Sequence, residues 1–155
     1  MSHWPIESLL LHTGGMLLLD AVVETAGERM VCRYTVRGGN QYSEPDGSLP
    51  AWCGIELMAQ CVGAWSGWQS KLEHKPVRLG FLLGTRHYRC NVDAFARGSE
   101  LRIEAVRTFH EDDGMGVFAC RIDAPDVLAQ ASLTVFSPLN TDPFLESSVQ
   151  GQTHV

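Results

Sequence analysis

The chain has 155 residues, of which 45 % are hydrophobic and 19 % are charged. This length fits one domain, and the composition is that of a globular protein, which excludes a chain that is disordered throughout. The formal net charge of -6 argues against a nucleic-acid partner, because nucleic-acid-binding proteins carry a dominant basic field.

The first predicted elements along the chain are a short helix and a hairpin. The segment "PIESLLLH" opens with Pro5 and Glu7, which is typical of a helix N-terminus. We expect this helix to end at Gly14 and Gly15. The next segments, "MLLLDAVVE" and "RMVCRYTVR", have the composition of strands and are separated by "TAGE", a turn-like break, so they predict a hairpin.

A long apolar helix is predicted after the loop "GGNQYSEPDGSLP". The stretch "LPAWCGIELMAQCVGAWSGW" carries apolar side chains on every helical face, and residues 52–72 contain no proline. These properties favour a buried helix over an amphipathic surface helix. Glu56 is the only charged residue from Leu49 to Trp68. Because Glu56 and Gln60 interrupt the apolar run, a membrane span is disfavoured.

Four strand candidates follow the helix: "RLGFLLGTRHYRC", "SELRIEAVRTF", "GVFACRID" and "VLAQASLTVF". Helix and strands are segregated along the chain, which predicts an α+β domain whose sheet curls around the helix. Strand character ends near Leu139. We therefore expect a single domain over residues 1–138 and a mobile tail over residues 139–155.

Cysteine and histidine usage indicates neither a disulfide framework nor a metal site. The five cysteines form no C-x-x-C pair, which predicts reduced, mostly buried thiols in a cytoplasmic protein. The six histidines show no metal-ligand spacing, and no glycine-rich phosphate loop joins a strand to a helix. We expect no metal and no cofactor.

A basic segment follows the apolar helix. It contains Lys71, Lys75, Arg78, Arg86 and Arg89, and only Glu73 opposes them. A solvated face and a docking patch for an acidic partner are both compatible with this pattern.

Glu56 is the candidate for chemistry. It either faces solvent in the first helical turn, where the helix dipole favours a negative charge, or lies buried among apolar neighbours. Burial disfavours the charged form of a carboxylate, so a buried Glu56 can act as a general acid or base. Backbone N–H groups up to Gly54 can polarise a carbonyl oxygen at the helix start.

Small residues line the same face of the helix. Gln60 lies four residues after Glu56, and Gly63 and Gly67 continue nearly the same line. The glycines leave room for a ligand or for another backbone beside the helix.

Three motifs carry a resemblance to a known family. The segment "SLLLHTGGMLLLDAVVE" resembles "LLPHRxPFLLVDRV", and "LPAWCGIELMAQCVGAW" resembles "MPGVLxxEAMAQ". The strands "LGFLLGTRHYRCNVDAFARGSELRIEAV" are similar to "FxxxxxxRFxxPVxPGDxLxxEV". These are motifs of the hotdog-fold 3-hydroxyacyl-acyl-carrier-protein dehydratases, and the resemblance runs from about Ile6 to Phe136.

The resemblance implies a hotdog fold, in which a long central helix is wrapped by a curled antiparallel sheet. It also implies a dimer with active sites at its interface and an acyl tunnel beside the helix. Glu56 is then the catalytic carboxylate. The residues expected to bind substrate are Trp52, Gly54, Gln60 and Gly63.

The loop before the helix departs from the family pattern. The family's "GHFPGxPxMPG" contains a catalytic histidine, whereas "NQYSEPDGSLPA" contains none, and the position falls near Tyr42. His12 is retained from the opening motif. Glu56, His12 and Tyr42 are therefore the candidate catalytic residues, and this variant pattern looks most like the dehydratase-like proteins of aryl polyene lipid pathways.

The resemblance also implies an acyl carrier protein as partner, with Arg78, Arg86 and Arg89 as the expected contacts for that acidic protein. Homodimer and heterodimer with another hotdog protein are both open. Three functions remain: a dehydratase, a noncatalytic subunit of a histidine-bearing hotdog protein, and an acyl thioesterase in which Glu56 activates water.

Overall fold

The computed structural model describes residues 4–10, 17–78 and 80–137. The helix end expected at Gly14 and Gly15, the candidate His12, and the tail expected over residues 139–155 all lie outside these ranges. Within them, the chain forms one α-helix, two short 3-10 turns and eight strands.

In chain order the described elements are a first 3-10 turn (Ile6–Ser8), strands β1 (Ala21–Ala26), β2 (Arg29–Thr35) and β3 (Leu49–Pro50), a second 3-10 turn (Ala51–Cys53), helix α1 (Gly54–Leu72), and strands β4 (Phe81–Cys90), β5 (Ala94–Phe95), β6 (Glu100–His110), β7 (Met115–Ala124) and β8 (Val127–Phe136). The predicted hairpin, the long helix and the four later strands are all confirmed. The described part of the predicted N-terminal helix is a single 3-10 turn. Strands β3 and β5 were not predicted, because two residues show no alternation.

The large sheet has six antiparallel strands in the order β1-β2-β6-β7-β8-β4. Strands β1 and β4 form its two edges, and the sheet is open. A separate two-stranded ladder pairs β3 with β5, joining Leu49 to Phe95 and Pro50 to Ala94. This ladder holds the chain just before the second 3-10 turn.

Helix α1 lies across one face of the sheet, against β2, β6 and β7. Along β6 the burial alternates as a half-buried strand requires: Leu101, Ile103 and Ala105 are buried, whereas Arg102 is exposed. We call the face that carries Leu101, Ile103 and Ala105 the inner face, and the opposite one the outer face.

The N-terminal segment covers α1 on the side away from the sheet. A Cβ built at Gly67 would lie 2.1 Å from the carbonyl oxygen of Leu9, so only glycine admits this backbone so close to the helix. Trp4 adds an edge-to-face contact with Trp68, at 4.7 Å between ring centroids. Because α1 is covered on both sides, it carries apolar residues on nearly every face.

The cysteines agree with the sequence-based expectation. All five are free, and four of them, Cys32, Cys53, Cys61 and Cys120, are buried. The Sγ atom of Cys61 lies 3.5 Å from the carbonyl oxygens of Met30 and Ile103, where the helix meets the sheet. The thiols therefore pack the core.

Candidate functional site

The site is built where the chain enters α1. Pro50 precedes the second 3-10 turn and has an extended backbone. The N–H of Ala51 donates to the carbonyl of Asp93 at 3.0 Å, which ties the turn to the β3–β5 ladder. By the geometry of a 3-10 turn, the N–H of Trp52 has no acceptor inside the turn. The start of α1 is thus fixed in place and presents a backbone donor.

Glu56 lies in the first turn of α1 and is half-buried in the single chain. Its position therefore falls between the two alternatives that the sequence leaves open. The Nε2 atom of Gln60 donates to Glu56 Oε1 at 3.0 Å. The Gln60 amide, one helical turn further along α1, thus fixes the orientation of the Glu56 carboxylate.

Gln60 is itself fully buried and fixed at its other end. Its Oε1 accepts hydrogen bonds from the backbone N–H groups of Leu18, at 2.9 Å, and Leu19, at 3.3 Å. These bonds leave Gln60 one orientation, with Nε2 toward Glu56. Gln60 therefore links the Glu56 carboxylate to the backbone that precedes β1. Its predicted contact with substrate stays a prediction.

Gly54 lies at the closely packed start of the helix. Its N–H donates to the carbonyls of Ala51 and Trp52, and its predicted contact with substrate stays a prediction. A Cβ at Gly54 would lie 2.2 Å from the hydroxyl oxygen of Tyr88 and 3.2 Å from Ile122. Gly54 is therefore required for close packing at the helix start.

Tyr88, which packs against the start of α1, was not predicted from the sequence. Its hydroxyl donates to the carbonyl of Ala51, and burial raises its pKa, so the phenol stays protonated. A bulge between Arg86 and Arg89, in which His87 has φ 57°, brings Tyr88 to the inner face. The alternating pattern of the strand gives no sign of such a bulge.

Tyr42 and Trp52 meet at the same end of the helix. Their rings are in edge-to-face contact, with centroids 6.0 Å apart. The N–H of Tyr42 donates to Asn40 Oδ1 at 2.8 Å, and Asn40 Nδ2 donates to the hydroxyl of Tyr34 at 3.0 Å. The loop is thus anchored beside the helix start, and Trp52 remains 60 % exposed. The catalytic role of Tyr42 and the substrate contact of Trp52 stay predictions.

The space beside Gly63 is filled by the chain itself. A Cβ at Gly63 would lie 2.6 Å from Leu10 Cδ2, and Gly67 faces the Leu9 backbone. Of the two occupants that the sequence leaves open, another segment of backbone takes the glycine face in the described residues. A substrate contact of Gly63 is untested and stays a prediction.

The three arginines expected to bind a carrier protein are not gathered at one place. Arg78 lines a cavity of about 160 Å³ together with Trp65 and Arg107. Arg89 instead lines a groove of about 390 Å³ on the outer face, with His87 among its neighbours. Arg86 pairs in register with Ser132, which lines the same groove.

The described residues show neither a metal-ligand cluster nor a helix that could cross a membrane. Among residues 4–10, 17–78 and 80–137, no three His, Cys, Asp or Glu side chains converge as metal ligands would. In the same ranges, no helix has the length and hydropathy needed to cross a membrane.

The chain is similar to known proteins in both family and structure. The family model described as ApeP-like, ApeP dehydratase, matches residues 4–146. The dehydratase heterocomplex ApeI:P from Xenorhabdus doucetiae is 33 % identical, covers 93 % of this chain and 97 % of that chain, and superposes with a TM-score of 0.83. No curated protein sequence matches significantly.

More distant structures agree in fold alone. The E. coli PaaI protein of the phenylacetic acid degradation operon is 13 % identical, covers 74 % of this chain and 80 % of that chain, and has a TM-score of 0.56. A hypothetical thioesterase with coenzyme A from Streptococcus pneumoniae TIGR4 is 15 % identical, covers 75 % and 86 % respectively, and has a TM-score of 0.53. With these neighbours, the hotdog fold expected from the sequence is confirmed.

Proposed function

The chain belongs to the ApeP-like dehydratase family, and we propose that it removes water from 3-hydroxyacyl thioesters as one subunit of a hotdog dimer. The observation that carries the proposal is the Glu56 carboxylate, held at 3.0 Å by the buried amide of Gln60 at the start of α1. A carboxylate with a fixed orientation next to the helix start is suited to move a proton to or from a bound acyl chain.

The reaction needs a base, an acid and a donor to the thioester oxygen. One group removes the proton from C2, another protonates the hydroxyl on C3, and that hydroxyl leaves as water while the C2–C3 double bond forms. Glu56 carries one of these proton transfers. The N–H of Trp52 stabilises the charge that develops on the thioester oxygen. The product is a trans-2-enoyl thioester.

The second proton carrier is proposed to come from a different hotdog subunit. This chain has no histidine in the loop before α1, and the ApeI:P structure from Xenorhabdus doucetiae is a dehydratase heterocomplex. Strand β4 is an open edge with exposed Phe81, Leu82 and Leu83, which suits pairing with another sheet. A histidine of the partner subunit then faces Glu56 across the interface between the two sheets. Within this chain, Tyr42 and His12 are the alternative candidates for the second proton carrier.

The substrate is proposed to arrive on an acyl carrier protein, in an aryl polyene or fatty-acid-type pathway of the cytoplasm. Carrier proteins are acidic, so they are attracted to a basic site. Among the three expected arginines, Arg78 shares a cavity with Val62 and Trp65 of α1, whereas Arg86 and Arg89 lie on the outer face. No cofactor takes part in this elimination.

A mass-spectrometric assay on 3-hydroxyacyl carrier proteins tests the proposal. The wild-type chain, alone and mixed with the ApeI subunit of Xenorhabdus doucetiae, is compared with Glu56→Gln, Tyr42→Phe and the control Glu73→Gln at the exposed end of α1. We expect a product lighter by one water. Since general acid–base catalysis contributes about 10²- to 10⁴-fold, Glu56→Gln should lower the rate at least about a hundredfold, whereas Glu73→Gln should not.

Other outcomes distinguish the alternatives. Unchanged turnover of a fully assembled Glu56→Gln complex would show that this chain is a noncatalytic subunit. Release of the free 3-hydroxy acid would show a thioesterase. A loss of activity in Tyr42→Phe equal to that in Glu56→Gln would place the second proton carrier in this chain.

A further inference from the structure

The edge strand β4 carries two exposed arginines. Arg86 and Arg89 are exposed and pair in register with Ser132 and Gln130 of β8, which are uncharged. Within residues 4–10, 17–78 and 80–137, no carboxylate lies within ion-pair distance of either arginine. Both residues follow the register onto the outer face, away from α1.

Three other arginines on the outer face have carboxylate partners, whereas Arg33 of β2, which lies beside Arg102 in register, has none within ion-pair distance among the described residues. Arg29 contacts Glu104 at 2.5 Å, Arg102 contacts Glu24 at 3.1 Å, and Arg121 contacts Asp123 at 2.8 Å. In β4 the chain supplies no such partner, because no Asp or Glu occurs between Glu73 and Asp93. Strand β4 is therefore a basic edge next to a sheet surface on which most of the other arginines are paired.

This edge disfavours pairing with a second copy of itself. When two identical strands pair antiparallel around their middle, Arg86 of one copy lies opposite or diagonal to Arg86 of the other. Opposite residues are about 5 Å apart and diagonal ones about 7–8 Å apart, and like charges at these distances destabilise the pair. The same copy offers no carboxylate on its strand to relieve the repulsion.

We propose that Arg86 and Arg89 select a non-identical partner, whose edge strand places carboxylates opposite these two arginines. The apolar first half of β4, with Phe81, Leu82 and Leu83, provides contact area for any partner strand. The basic second half determines which partner strand binds. This inference rests on the proposed heteromeric function. It assigns Arg86 and Arg89 to the joint between the two sheets and leaves Arg78 to the carrier protein.

A mixing experiment that uses only this chain and its variants tests the charge selection. The double variant Arg86→Glu with Arg89→Glu stands in for an acidic partner strand and is mixed with the tagged wild-type chain. Native mass spectrometry then counts mixed and self-paired dimers. We expect mixed dimers to exceed either self-paired form at least about tenfold, with a preference that weakens as salt is raised, since salt screens exposed charges.

Two further variants serve as controls. Lys75→Glu with Arg97→Glu changes the net charge equally on exposed residues outside β4, and it should mix without preference. Arg86→Ser with Arg89→Ser removes the repulsion and should self-associate about tenfold more tightly than the wild type. Circular dichroism of each variant verifies folding.

The inference would be overturned by statistical mixing, by equal preference in the control, or by serine variants that self-associate no better. Weakened binding of an acyl carrier protein, with unchanged dimer preference, would instead show that Arg86 and Arg89 bind the carrier. The mixing experiment measures dimer assembly and not turnover, so the two proposals can fail separately. If the charges do not select the partner but the complex still turns over, the proposed dehydration stands. If the partners pair as expected but no turnover is found, only the dehydration is refuted.

Discussion

At the scale of single residues, the position of Glu56 depends on Gln60. The lone charge in an apolar helix could be recognised from the sequence, because such a charge is costly unless it has partners. The spacing of four also placed Gln60 on the same face. The donors to Gln60 Oε1, which are the N–H groups of Leu18 and Leu19, lie more than 40 positions away and follow only from the tertiary fold. Tyr88 was missed for the same reason.

Gln60→Met is expected to lower the free energy of unfolding by about 2 kcal/mol. The substitution retains the volume but removes the acceptor of two buried N–H groups, and an unsatisfied buried donor costs about 1–3 kcal/mol. Urea denaturation measures the change. The control is Gln69→Met on the same helix, where the side chain makes a long bond of 3.4 Å to the Gly27 carbonyl oxygen, and the expected change stays within about 0.5 kcal/mol. Equal losses in the two variants would contradict the assigned role of Gln60.

At the scale of elements, periodicity was sufficient for the long helix and for the four long strands after it. Their alternation follows from burial of one face, and a stretch without proline extends through the whole of α1. Periodicity could not identify what covers the glycine face of α1. That required the N-terminal segment, whose Leu9 backbone rests against Gly67. Two-residue strands such as β3 are likewise below the length at which a period can be detected.

Gly67→Ala should destabilise the protein although alanine favours a helix. Alanine gains about 1 kcal/mol of helix propensity over glycine, but its Cβ would lie 2.1 Å from the Leu9 carbonyl oxygen. Overpacking against backbone costs about 1–3 kcal/mol, so the net result is a loss of about 1–2 kcal/mol in urea denaturation. Gly84→Ala is the control, since no atom of the described residues beyond its two chain neighbours lies within 4 Å of the added carbon. A Gly67→Ala protein as stable as the wild type would show that the segment moves away freely.

At the scale of the whole molecule, the sheet order brings together strands that are distant in the sequence. Strand β2 pairs with β6 and β8 pairs with β4, and neither neighbour can be inferred from local pattern. The resemblance to a known family predicted a curled antiparallel sheet around the helix, but not this strand order. The same order leaves β4 as an open edge, where Leu83 is 55 % exposed. Near the other end of β4, Tyr88 donates to the Ala51 carbonyl and so supports the start of α1. One chain therefore carries the carboxylate of a site and an unpaired edge on the same framework.

The thiols buried throughout this framework predict a loss of stability in alkaline solution. Burial raises the pKa of Cys120 to about 12, and burial followed by the charge of Glu56 raises that of Cys53 to about 11. Thiols of the unfolded chain ionise near pH 8.5–9, so above that pH the folded state holds more protons than the unfolded state. The contribution of these thiols to the free energy of unfolding is thus fully present below about pH 8.5. It decreases as the pH rises toward the pKa values of the folded state, by up to about 1.4 kcal/mol per pH unit for each thiol. Urea denaturation with a reductant between pH 7 and 10 should show this decline, and Cys120→Ala should flatten it; an equally steep decline in that variant would mean that other groups cause it.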